Sequence, residues 1–145
     1  MTEYGFIRAP DEVISIRVEL AEQVVKALQD AGLPAFRDMG SDGPDQAGAV
    51  VYVEPDAELG SAAVSVGWRC GTAKLQVALD ALAAGTSDGS ALRYLGMVSL
   101  PMQNTMIKIL LSAGIIATLN NDTMNPEHVL VFGMTSDLPP AVRPA

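Results

Sequence analysis

The stretch VGWRCGTAKL at residues 66–75 holds the side chains best suited to chemistry. Cys70 stands where a strand-like run gives way to a helix-like one, and amides at a helix N-terminus can stabilise a thiolate or hold an anion. Arg69, its neighbour, would add to that field. A cysteine nucleophile also needs a base, and the sole histidine, His128, lies far along the chain at the start of another strand-like run. A single cysteine packed as a small hydrophobe is the commoner arrangement, so Cys70 is expected to be structural. The sequence CGT has one glycine and no lysine before its threonine, which excludes a phosphate loop of the Walker type.

Two carboxylate groupings could gather a hard cation: Asp38, Asp42 and Asp45 in one loop, and Asp122, Glu127 and His128 in another. Neither has the alternating ligands and closing glutamate of a calcium loop. Turn formation and solubility account for these residues more simply. Met97, Met102 and Met106 read first as core filler and second as an adaptable partner surface. Trp68 reads as a core or seam anchor whose indole N–H needs a partner if buried. No catalytic, cofactor-binding or metal-ligating residue is therefore assigned, and no cofactor is expected.

The composition narrows the partners. The chain has 145 residues, 49% of them apolar, enough for one domain with a core. Seventeen acidic residues against nine basic ones give a formal charge of −8. That balance disfavours attraction to nucleic acid or to an anionic membrane. The first residues lack the basic-then-apolar layout of a secretory signal, and no apolar run is long enough to span a bilayer. The expected setting is a reducing compartment, cytoplasmic or virion-associated, and a lone cysteine excludes an internal disulfide.

The elements that would position these residues follow from periodicity. Ile14, Val18, Ala21, Val25 and Leu28 share one helical stripe, closed by Ala31-Gly32; Leu75, Ala78, Leu79 and Leu82 form a second between Thr72 and Gly85. Met102, Met106, Ile109, Leu110 and Ala113 form a third, behind Pro101 and stopped by Gly114. Strands are expected at 49–54, 62–68, 115–120 and 128–133, with weaker signals at 33–37 and 94–100. The segment 13–20 fits both a strand and the first helix. Residues 38–48 and 85–90 read as loops. The organisation expected is one domain over 1–133 and a flexible proline-rich tail over 134–145.

Two stretches repeat one another. VVKALQDAGLPA (24–35) and MIKILLSAGIIA (106–117) agree at Lys26/Lys108, Leu28/Leu110, Ala31/Ala113, Gly32/Gly114 and Ala35/Ala117. An amphipathic helix, a glycine stop and a buried strand is a grammar that an α/β chain can write twice by chance. A duplicated strand-helix-strand-strand unit is the sharper alternative.

The succession VVKALQDAGLPAF, AGAVVYVEP and AAVSVGWRCGTAKLQVALDALAAG resembles the siphophage tail-terminator and neck-protein family, including its minor tail protein U-like members, over roughly residues 15–85. In that family an amphipathic helix leads into a hairpin whose strand often ends in tryptophan, here Trp68, before a second helix. The sequence departs from the family where Ala47-Gly48 stands in place of the usual proline. The resemblance implies a non-enzymatic building block that assembles as a ring at a head-to-tail junction. The alternative is a regulatory, ligand-binding or immunity-type α+β module with an acidic face for a protein partner.

The fold expected is α+β: a single mixed or antiparallel sheet with three helices packed on one face. Strands apolar on both faces in so small a domain point to protein partners and to a homo-oligomer.

Overall fold

A computed structural model describes residues 2–3, 6–39, 46–59, 61–71, 76–77, 80, 83–85, 90–120 and 127–139. A short hairpin, β1 (Thr2–Glu3) and β2 (Phe6–Ile7), precedes helix α1 (Asp11–Asp30). Strands β3 (Ala35–Arg37), β4 (Gly48–Val53) and β5 (Val64–Arg69) follow, then helix α2 (Ser90–Ser112), β6 (Ile115–Leu119) and β7 (Val129–Met134). A single 3-10 turn, Thr135–Asp137, closes the described chain.

Five strands form one mixed sheet in the order β3-β4-β5-β7-β6. Only β3 and β4 run parallel; the other pairs are antiparallel. The period-two alternation of β-strands puts Ala49 and Val51, Val64 and Val66, Val129 and Val131, and Ile115 and Ala117 on one face. Ala21, Val24, Leu28, Met106 and Leu110 pack into the same cluster. Both helices thus cover the same face of the sheet, as the single apolar stripe on each requires. Burying one such side chain contributes roughly 1.5–3 kcal/mol, so this cluster is the main source of stability.

Three expectations need correction. The described residues hold two α-helices rather than three. Of the segment expected to form the second, residues 76–77, 80 and 83–84 are helical and the rest lie outside the described residues. The strand expected at 94–100 is instead the first half of α2, and Pro101 sits inside that helix rather than at its start. A proline there takes away the hydrogen bond to the carbonyl four residues earlier. Pro101 and Met97 are both exposed, so water can serve the freed carbonyl. The ambiguous segment 13–20 is helical throughout.

The repeat therefore marks two equivalent corners, but not a duplicated strand-helix-strand-strand unit. At each, a helix ends on a glycine of positive φ, Gly32 (97°) and Gly114 (82°), and the chain turns directly into an edge strand. There the likeness stops, because β3 pairs parallel with its successor and β6 pairs antiparallel. Parallel pairing brings Gly48 against Pro34: a Cβ on Gly48 would stand 2.5 Å from the Pro34 carbonyl oxygen, which accepts the Ala49 N–H at 2.8 Å. Among the described residues no helix is long and apolar enough to cross a membrane.

One charged side chain is part of the interior. Arg17 is 6% exposed on the core side of α1, and its Nη1 donates to the carbonyls of Glu54 and, at 2.7 Å, of Asp56. It pins the helix to the turn between β4 and β5, satisfying backbone acceptors that would otherwise face an apolar surface.

Candidate functional site

Antiparallel pairing of β5 with β7 brings the C-terminal end of the first beside the N-terminal end of the second. At that end of the sheet lies a cavity of about 260 Å³, lined by Arg69, Cys70, Glu127, His128, Tyr52 and Trp68, with Ser99 of α2 and Val50 and Gly67 completing the wall. Cys70 and His128, remote in sequence, share this one space.

Packing fixes His128 firmly. Its ring stacks on Tyr52 with centroids 5.5 Å apart and planes 12° from parallel. Its carbonyl accepts the Nε2–H of the buried Gln103 at 2.8 Å and the Asn120 N–H at 3.1 Å, which ties β7 to α2 and to the end of β6. The imidazole lies over Gly67, where a Cβ would stand 2.8 Å from Nε2. Glycine at 67 is what makes room for the ring.

Electrostatics argue against a catalytic thiolate. Burial lowers the pKa of His128, with Glu127 pulling it partly back up. Burial likewise raises the pKa of Cys70. Both shifts favour neutral forms, the reverse of a thiolate-imidazolium pair. The guanidinium of Arg69 turns to the Phe36 ring, its Cζ 5.5 Å from the centroid. What the cavity offers is a half-buried mixture of aromatic, polar and charged groups, with Arg69 and Glu127 in its wall beside Tyr52, Trp68 and His128.

The remaining candidates separate. Glu127 and His128 line this cavity, whereas Asp122 lies outside the described residues. Asp38 lines a different hollow, with Arg8 and Arg37, and Asp42 and Asp45 lie outside the described residues. Among the described residues no group of three or more histidine, cysteine, aspartate or glutamate side chains is placed to hold a metal ion. Met106 is fully buried, Met102 is half-buried and Met97 is 68% exposed, so the methionines divide between core and surface. Trp68 is half-buried and packs against the core cluster as well as facing the cavity. That Cys70 and His128 line one cavity escaped the sequence, which carries no signal that β7 rather than β6 neighbours β5.

Comparison with protein-family models, with curated proteins and with solved structures gives no match.

Proposed function

We propose that this chain is a non-enzymatic assembly protein that self-associates into a ring, resembling a phage tail-terminator or head-tail connector component, and that it works in the cytoplasm and then as part of a virion. The observation that carries the reading is the amount of large apolar surface left outside the core. Ile16 on α1, Met97 and Leu100 on α2, Leu119 on β6 and Phe132 on β7 are all more than 40% exposed. Apolar residues spread over several elements, rather than gathered in one pocket, suit multiple contacts with protein neighbours. Helix α1 followed, after the short β3, by the β4-β5 hairpin with Trp68 next to last in β5 supports the layout the resemblance implies. The shifts of Cys70 and His128, each by burial in the direction of its neutral form, support the non-enzymatic side of the reading.

Light scattering over a concentration series, with electron microscopy of any particle containing the chain, tests this. A closed ring, free or on a particle, is the expected result. A chain monomeric at every concentration and present in no particle overturns it, and leaves a regulatory α+β module in its place.

A further inference from the structure

A bulge in β7 shapes a groove distinct from the cavity of Cys70 and His128. Gly133 pairs with Ile116 and Val131 with Ala117, so Phe132 is the extra residue between them. A bulge re-aims the side chain it carries, and here Phe132 shares a groove of about 650 Å³ with α1. Ile16 and Leu20 line it from the helix, Met134 from the strand. A space of that size and lining suits a small, largely apolar molecule.

Arg17 forms the base of the groove. It is 6% exposed, whereas Ile16 and Phe132 in the walls are 67% and 54% exposed. Its Nη1 donates to the carbonyls of Glu54 and Asp56. Among the described residues no acceptor meets Nε or Nη2, and neither atom is sealed in the interior. A guanidinium stays charged, and a buried charge is ordinarily paired. Lys26 and Arg37 have carboxylates at 2.8 and 3.1 Å; among the described residues Arg17 has only neutral carbonyls. Its two open donors, Nε–H and Nη2–H, point the same way from one edge of the guanidinium. That fork matches the two oxygens of a carboxylate.

We propose that this groove binds a small apolar molecule bearing one carboxylate, which sits on Nε and Nη2 of Arg17 while the apolar body lies along Phe132, Ile16 and Leu20. The charge pattern selects that class. Arg17 is the one cation among the described residues lining the groove, and the exposed Glu19 and Asp137 stand beside it. Those two carboxylates repel a second negative charge, so a dianion such as phosphate is disfavoured. An uncharged ligand gives the fork no partner, and a ligand without an apolar body leaves Phe132 and Ile16 in water. The site does not rest on the ring reading.

Titration of the wild-type chain with octanoate, followed by calorimetry and by the NMR signal of the Arg17 Nε–H, tests the site. Octanol supplies the apolar body without the charge, acetate the charge without the body, and inorganic phosphate the other anion. Octanoate is expected to bind and to move the Arg17 signal, and the three other probes to bind at least about tenfold more weakly. Arg17 also holds the turn between β4 and β5, so the variants are made in the walls instead. Phe132→Glu and Ile16→Glu alter exposed positions, which leaves the fold intact as circular dichroism checks, and each is expected to weaken octanoate at least about tenfold. A wild-type chain that does not bind octanoate overturns the proposal. So does binding that leaves the Arg17 signal in place, that any of the other three probes matches, or that both wall variants leave unchanged.

Discussion

The imidazole of His128 lies almost flat on the ring of Tyr52, with 5.5 Å between centroids and 12° between planes. The contact joins β4 to the start of β7 across the intervening β5, so it depends on the pairing of all three strands. Two measurable consequences follow from it.

The first is a pH dependence. The folded state holds His128 below its ordinary pKa, mainly through burial. The unfolded chain therefore binds a proton first as the pH falls. Stability from this group is complete above the unfolded value of about 6.5 and is lost as the pH drops from there toward the lower folded value. The urea midpoint of the wild-type chain is expected to fall between pH 7.5 and 5.5, and that of His128→Phe to fall less. Equal slopes in the two would show that other groups carry the change.

Gly67→Ala is expected to destabilise the chain by about 1 kcal/mol, because the new Cβ would stand 2.8 Å from Nε2 of His128 and the ring must leave its stack. The cost should largely disappear in a His128→Ala background. A double-mutant cycle by chemical denaturation measures that coupling.

Removing Arg17 should be costlier than removing any surface arginine. Arg17→Met keeps much of the apolar stem but strips two charge-assisted bonds from the Glu54 and Asp56 carbonyls. A loss of about 2–3 kcal/mol is expected. Arg37→Met is the control: Arg37 pairs with Glu22, whose side chain is 57% exposed, and should cost well under that. Denaturation midpoints of the two variants decide the order.

Cys70→Ser should leave assembly unchanged, with a stability cost of about 1 kcal/mol. Burial raises the pKa of this thiol, so its alkylation at pH 7.5 is expected to be slower than that of a free cysteine peptide. A variant that folds yet no longer assembles, or a thiol faster than the peptide, would assign Cys70 a reactive role.

The sequence speaks clearly where local physics decides. Short β-branched runs gave β4, β5, β6 and β7 nearly to the residue, and the glycine stops at 32 and 114 ended both helices correctly. It misled where two rules competed. Tyr94 to Leu100 look strand-like and Pro101 looks like a helix start, yet the run is helical because the proline's lost bond falls on an exposed side. Arg17 gave no sign of burial, since its partners are backbone carbonyls distant along the chain. The cavity was legible only as unconnected pieces: Cys70 and His128 come to line one space through the β5 and β7 pairing, and strand order is a property of the whole sheet.

The place of β7 has a consequence for how the molecule comes into being. It is the last of the described strands in chain order, yet it sits inside the sheet, between β5 and β6. During synthesis β5 and β6 both emerge before the strand that unites them. Until Val129–Met134 leaves the ribosome, the nascent chain carries a β3-β4-β5 fragment with an open flank and an unpaired β6, and contacts between residues so far apart in sequence as β5 and β7 form slowly. A chaperone or a partner that shelters those flanks would act in that interval, before the finished sheet exists to be recognised.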